Sequence, residues 1–226
     1  MNLKNYYWYF ESALSPKLCA EILKYGKSFN TETAVTGNVS SKYKDNQLPR
    51  DKQGRIILTA EDQKDLKKKR NSDVTWLDDK WIYKELHPFV EIANINAGWN
   101  FQWDYSESCQ FTKYSTGQYY GWHCDSWQEP YKRQDKADPT DGKIRKISMT
   151  VSLSDPSEYE GGNLEFDFRN NTDWDIQQRT GFKECTEIRP KGSIVIFPSF
   201  VWHRVKPVTK GTRYSLVMWT LGWPFK

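Results

Sequence analysis

Histidine is scarce in this chain. There are three in 226 residues, His87, His123 and His203. A site that needs imidazoles must therefore draw on nearly all of them. Cysteine is equally sparse. Cys19, Cys109, Cys124 and Cys185 are widely scattered, with no Cys-x-x-Cys pair. That spacing speaks against a disulfide framework or a thiolate zinc module and fits free thiols in a reducing compartment. Long apolar runs are missing too. The N-terminus, MNLKNYYWYF, has no apolar core of the signal-peptide kind, and no stretch approaches the length of a membrane span. The expectation is a soluble, cytoplasmic protein without a membrane partner. An excess of one charge is also absent. The net charge of +4 is too mild to imply a nucleic-acid partner. The densest basic run, KDLKKKR at residues 64–70, reads first as a solvated segment and second as a phosphate-binding patch.

What the chain does have is aromatic surface. Aromatics make up 15% of residues, with eleven Trp, against a modest 37% of hydrophobic residues. Large flat side chains must fill much of the core, and some are expected to line a cleft. Residues 1–226 read as one domain, with no internal repeat and no linker. A helical support at 1–100 precedes a β-rich core at 101–226. Ser15 caps a first helix, Pro16 suits its first position, and Leu18, Ile22 and Tyr25 share a face. Residues 36–73 are polar and aperiodic. They read as a long loop, with at most a short strand or hairpin at RIILT. A second helical region starts near Asp78. Pro88 is expected to kink or split it, and Gly98 to end it.

From Phe101 the pattern becomes one of strands. FQWDYSESCQFTKY alternates. In KISMTVSLS, Ile147, Met149, Val151 and Leu153 point one way while Ser148, Thr150 and Ser152 point the other. GGNLEFDF, GSIVIFP and RYSLVMWTLGW follow between turn signals. The fold class expected is α+β, mainly β: a jelly-roll (double-stranded β-helix) core buttressed by N-terminal helices.

Within that core, YYGWHCDSW places His123 and Asp125 two residues apart. In extended chain, residues i and i+2 share a face, so both side chains can reach one cavity. His203 lies far downstream, in PSFVWHRV after the strand GSIVIFP, where a jelly roll can bring it opposite. Two imidazoles and a carboxylate on one side of a metal form the facial triad of non-haem Fe(II) sites. The same donors also suit zinc. Ten residues after His203, Arg213 opens an apolar strand. A buried arginine there needs an anionic partner, and its planar fork matches a carboxylate. A dicarboxylate co-substrate would chelate the metal at one end and meet Arg213 at the other. Tyr114, nine residues before His123, can add a phenolic hydrogen bond. His87, before Pro88 in a helical region, reads as structural.

These motifs, YSTGQYYGWHCD, ISMTVSLSDPSEYEGGNLEF and GSIVIFPSFVWHRVKPVTKGTRYSLVMW, resemble those of the Fe(II)- and 2-oxoglutarate-dependent oxygenases. Within them the chain is most similar to the prolyl 4-hydroxylase branch in its bacterial and phage forms. Weaker echoes lie in YWYFESALSPKLCAEIL and KRNSDVTWL. The resemblance implies that His123, Asp125 and His203 bind Fe(II). It implies that Arg213 takes the distal carboxylate of 2-oxoglutarate, with Tyr114 and Ser148 beside it. It gives Tyr120 and Trp219 a place around the substrate proline. The implied catalytic set is His123, Asp125, His203 and Arg213. The implied reaction consumes O2, converts 2-oxoglutarate to succinate and CO2, and hydroxylates a peptidyl proline at carbon 4 in a proline-containing peptide or protein. Ascorbate enters as an accessory reductant. The cell compartment implied is a bacterial cytoplasm, or that of a host if the source is a phage.

Two alternatives stand beside this reading. One keeps the chemistry but acts on a non-proline residue or a free amino acid. The other is a non-catalytic, metal-binding jelly roll. Nucleic-acid substrates are disfavoured, because in that branch the co-substrate arginine sits further beyond the distal histidine. Two segments, 36–73 and 126–143, are candidates for a lid over a peptide. Aromatics close to the triad in sequence, Tyr119, Tyr120, Trp122, Trp127, Trp202 and Trp219, are candidates to line its groove.

Overall fold

The computed structural model describes residues 3, 5–43, 48–52, 56–126, 129–168 and 182–225. Its elements in chain order are β1 (Trp8–Phe10), α1 (Pro16–Lys27), β2 (Glu32–Thr33), the one-turn α2 (Gly37–Ser40), α3 (Ala60–Lys69), β3 (Arg70–Asn71), β4 (Asp73–Leu77), α4 (Lys80–Asn96) and β5 (Tyr105–Ser106). Then come β6 (Cys109–Ser115), β7 (Tyr119–His123), β8 (Ile144–Ser152), β9 (Tyr159–Gly161), β10 (Leu164–Asp167), β11 (Lys183–Glu184), β12 (Ile194–Pro198), β13 (Trp202–Val205) and β14 (Val208–Gly222).

Two antiparallel sheets build the jelly roll. The major sheet runs β1-β12-β8-β14-β6-β4-β2, with β5 and β9 also paired to β14. The minor sheet runs β11-β10-β13-β7-β3. One face of the major sheet carries Ile147, Met149, Val151, Leu216 and Met218 into the core beneath α1 and α4. The alternation in KISMTVSLS is thus realised as expected. A second cluster, with Leu164, Phe166, Val195, Phe197, Val201 and Val205, fills part of the space between the sheets. The site lies in that space.

The two main helices begin and end as the sequence indicates. The Ser15 hydroxyl accepts from Leu18 N at 3.2 Å, and Pro16 is the first residue of α1. Gly98 follows the end of α4 with a φ of 73°, a conformation glycine adopts without strain. Helix α4 runs through Pro88 without a break, so the expected split does not occur. Burial of Ile82, Leu86, Val90 and Ala93 along one face of α4 outweighs the single backbone hydrogen bond that proline removes. Asp79, before α4, accepts from the Tyr25 hydroxyl of α1 at 2.7 Å, which fixes the helices to each other.

Two expectations are corrected. Residues 36–73 are not one long loop, because α3, β3 and the start of β4 lie within them. The signal was a capping box: Thr59 Oγ1 accepts from Asp62 N at 3.1 Å, and the Asp62 carboxylate accepts from Thr59 N. Such a box contributes about 1 kcal/mol to a helix that lacks strong amphipathicity. In RIILT, Arg55 lies outside the described residues, and Ile56 forms only an isolated bridge to Arg50. The first hundred residues also do more than buttress. They add β1, β2 and β4 to the major sheet and β3 to the minor one.

Candidate active site

Strand β7 ends on His123, and antiparallel β13 places His203 directly opposite it. The two rings lie 4.1 Å apart, centroid to centroid. After Cys124 the chain turns, and Asp125 N donates to Ser199 O at 2.8 Å. This brings the carboxylate between the imidazoles. Oδ1 lies 3.6 Å from His123 Nε2, and Oδ2 lies 3.6 Å from His203 Nε2. One ligand atom from each residue falls within 4.8 Å of the others.

The protonation pattern suits metal binding. Nδ1 of His123 lies 2.8 Å from Gly121 O, and Nδ1 of His203 lies 3.0 Å from Val201 O. A carbonyl only accepts, so each Nδ1 carries the proton and each Nε2 offers a lone pair. Burial, reinforced by His203, holds the His123 pKa well below 6.5. Burial alone would raise the Asp125 pKa, but His203, His123 and Arg145 outweigh it and hold the carboxyl at about 2. Two imidazole nitrogens and a carboxylate fit a divalent first-row ion bound on one face. Ser148 Oγ donates to Asp125 Oδ2 at 2.7 Å and lies 2.9 Å from Ser199 Oγ. The serine hydroxyl is therefore engaged by the metal-binding carboxylate. The resemblance had set it beside the co-substrate.

Arg213 faces Tyr114 across the β14–β6 ladder. Its guanidinium carbon is 5.6 Å from the Tyr114 ring centre. The residue is only 2% exposed, and Nη1 is buried without a hydrogen-bond partner. Among the described residues no carboxylate pairs with it. A buried, unpaired guanidinium is costly, so this one calls for an anionic ligand. Gly162, with a φ of 61°, packs against it: a Cβ there would lie 3.0 Å from both Arg213 Cδ and Val208 Cγ2. The donor set and the orphaned arginine thus fit an Fe(II) ion and a dicarboxylate.

Aromatic walls flank the triad. Tyr120 stacks on His123 with ring centres 3.5 Å apart and a 12° interplanar angle. Burial pushes its phenol pKa up to about 12. Trp219 pairs in register with Ser148 on β8. Its indole N–H helps hold the Asp125 pKa down, yet it makes no regular hydrogen bond. The other candidates face elsewhere. Trp122 packs on Phe182 and Arg204, on the opposite side of β7 from His123. The Tyr119 hydroxyl donates to Lys67 O. Trp202 alternates with His203 on β13 and so points to the other face. Trp127 lies outside the described residues. His87 bonds Ser106 Oγ at 2.9 Å, apart from the triad, as its structural reading expects.

Several residues at the site escaped sequence reasoning. Arg70 is 5% exposed, lies 4.4 Å over the Tyr120 ring, and leaves Nη2 buried without a partner. It was hidden at the end of the KDLKKKR run, whose lysines 64 and 67–69 are solvent-exposed on α3. Arg145 lies 3.9 Å over Trp219 and pairs with Glu107. Trp76 approaches Trp219, ring centres 6.2 Å apart, and is 46% exposed. Only strand pairing brings Arg70, Arg145 and Trp76 to the site, and no spacing in the sequence announces it.

Comparison with known proteins decides the family. The profile described as "2OG-Fe(II) oxygenase superfamily" matches residues 109–221, which is half of the chain. The chain belongs to the 2OG-Fe(II) oxygenase superfamily. The match spans the whole constellation, from Tyr114 through His123, Asp125 and His203 to Arg213 and Trp219. A PKHD-type hydroxylase of Xanthomonas euvesicatoria pv. vesicatoria is 35% identical over 110 residues, covering 49% of this chain and 42% of the relative. The chain thus matches less than half the length of that oxygenase. Among solved structures, the fold is similar to a viral collagen prolyl hydroxylase from Paramecium Bursaria Chlorella virus-1, solved with 2OG. The TM-score is 0.58 at 17% identity, covering 97% of both chains. It is also similar to a Trichoplax adhaerens prolyl hydroxylase solved with a hypoxia inducible factor oxygen degradation domain peptide. There the TM-score is 0.56 at 16% identity, covering 96% of this chain and 84% of that one. At such identities the likeness is one of fold.

No helix among the described residues is long and apolar enough to cross a membrane.

Proposed function

We propose that this oxygenase hydroxylates proline in a peptide or protein substrate, using Fe(II), 2-oxoglutarate and O2 and releasing succinate and CO2. The observation that carries the reading is the pairing of a His123–Asp125–His203 ligand face with a buried Arg213 that meets no anion among the described residues and leaves Nη1 without a hydrogen-bond partner. A metal face alone would equally suit hydrolytic zinc. The orphaned guanidinium gives the site a place for a second carboxylate, which a dicarboxylate co-substrate provides.

When bound, iron and 2-oxoglutarate would supply the oxidising chemistry that inserts oxygen into an unactivated C–H bond. The chain's own residues do the rest. His123 and His203 each present Nε2, held in that tautomer by the Gly121 and Val201 carbonyls. Asp125 presents its carboxylate, fixed by Ser148. Arg213 orients the distal carboxylate of the co-substrate, with the Tyr114 phenol beside it. Tyr120 and Trp219 wall the reacting region with apolar rings and limit access of water. A proline ring is apolar and rigid, and aromatic walls recognise it in extended chains. The peptide class draws support from the prolyl hydroxylases whose fold is similar, and hydroxylation at carbon 4 is proposed on the sequence resemblance alone. Ascorbate is proposed as an accessory reductant on the family resemblance alone.

The test is anaerobic reconstitution with Fe(II), followed by 2-oxoglutarate, O2 and a panel of proline-containing peptides. Peptide-stimulated succinate, with one oxygen atom gained on proline and no turnover by His203→Ala, is the expected result. Succinate without peptide oxidation would discard the substrate class and retain the oxygenase.

A further inference from the structure

Residues 129–143 connect β7 to β8 beside the site, and this segment is pinned. Tyr131 N donates to Lys143 O at 2.9 Å and Gly142 N donates to Tyr131 O at 2.8 Å, which closes the segment at its neck. Further out, Arg133 N donates to Asp141 Oδ1 at 2.7 Å and Arg133 Nε to Thr140 Oγ1 at 2.8 Å. These bonds are internal to the segment. Tyr131 differs, because its hydroxyl leaves the segment and donates to Glu107 Oε1 at 2.8 Å. The other oxygen of the same carboxylate, Oε2, accepts from Arg145 Nε at 2.9 Å and pairs with the Arg145 terminal nitrogen. Arg145 in turn lies 3.9 Å over Trp219, next to Asp125. Glu107 is therefore one carboxylate shared between a surface segment and the partly buried Arg145 at the edge of the candidate metal site.

We propose that Tyr131 is a positioning residue: its phenol latches the 129–143 segment onto Glu107 and thereby fixes the Arg145 guanidinium against Trp219 at the site. A carboxylate held from both sides has one orientation, and a charge-assisted bond from a phenol is among the stronger ones available. Without the phenol, Oε1 loses its donor and Glu107 is free to rotate, taking Arg145 with it. The neck bonds remain, so the segment loosens at its base without unfolding the sheets. A second anchor, Lys143 Nζ to Asp104 at 2.8 Å, lies at the same neck and does not touch Glu107. The effect on substrate rests on the prolyl-hydroxylase reading. The latch itself does not.

The test uses the full chain and the variant Tyr131→Phe, which keeps the ring. In the apo protein, trypsin is directed at Lys132, Arg133 and Lys136, all within the segment. Losing one hydrogen bond to a charged acceptor is expected to speed nicking there about tenfold or more, with the unfolding temperature lowered by only a few degrees. In turnover, the KM for peptide should rise while the KM for 2-oxoglutarate, set at Arg213, stays constant. A general loss of structure would shift both. Unchanged nicking overturns the latch. Faster nicking with both KM values unchanged overturns the positioning role. If wild-type protein oxidises no peptide, the substrate reading has failed, and the apo proteolysis still decides the latch.

Discussion

Ser148 and Asp125 meet across the space between the two sheets, with the serine hydroxyl donating to Oδ2 of the carboxylate at 2.7 Å. Ser148 is fully buried on β8, and Asp125 follows the end of β7, so this bond locks a proposed metal ligand beside one sheet to the other. Groups that orient metal ligands in this way typically contribute 10–100-fold to metal affinity. Ser148→Ala is therefore expected to weaken Fe(II) or Mn(II) binding by about 10–100-fold, with little change in 2-oxoglutarate affinity at saturating metal. Anaerobic calorimetry with Mn(II), then with 2-oxoglutarate, checks both halves.

Arg213→Met separates binding from stability. It removes the partner of a dicarboxylate, and a bond to a charged group contributes roughly 1.5–3 kcal/mol, so 2-oxoglutarate should bind at least about tenfold more weakly. The same change also removes a buried charge that has no counter-ion in the described structure. Replacing such a group with an apolar one of similar volume is often neutral or stabilising. Urea unfolding of the apo variant should show stability equal to or above wild type. A large destabilisation would mean that Arg213 has a structural partner after all.

Gly162 tests the same pocket from its wall. Ala at this position needs a φ of 61° and places a Cβ 3.0 Å from Arg213 Cδ and Val208 Cγ2. A left-handed conformation costs a non-glycine residue about 1 kcal/mol or more. Gly162→Ala should lower stability by that order and raise the Kd for 2-oxoglutarate, because the arginine is displaced. Thermal unfolding and ligand titration measure the two effects.

The buried His123 gives the apo protein a pH dependence of definite sign. Its folded pKa lies below the ordinary value of 6.5, chiefly through burial. The unfolded chain therefore binds a proton first as pH falls, so this contribution to stability is complete above about 6.5. It declines as pH drops from there towards the folded pKa. Urea unfolding of metal-free protein at a series of pH values should show that decline, and His123→Gln should flatten it. An identical slope in the variant would assign the titration elsewhere.

Elements whose cause is local follow from the order of residues alone. Ser15 and Pro16 start α1, Gly98 ends α4, and the two-residue alternation of KISMTVSLS orients β8. The His-x-Asp pair was legible as a motif, although β7 ends at His123 and the turn after Cys124 places the carboxylate; His203 and Arg213, on β13 and β14, were legible through the family's motifs. Helix α3 is equally local, its Thr59–Asp62 capping box set among polar residues. What tertiary structure alone decided is everything that depends on which strands lie side by side. Strand pairing set Arg70 over Tyr120, Arg145 and Trp76 against Trp219, and Ser148 under Asp125. It turned Trp122 and Trp202 away from the site. It also left Arg213 buried with no anion beside it among the described residues. A sequence records each side chain's chemistry and its period along the strand. Contacts between residues dozens of positions apart come from sheet order and register, and those are fixed only when the two sheets close on each other.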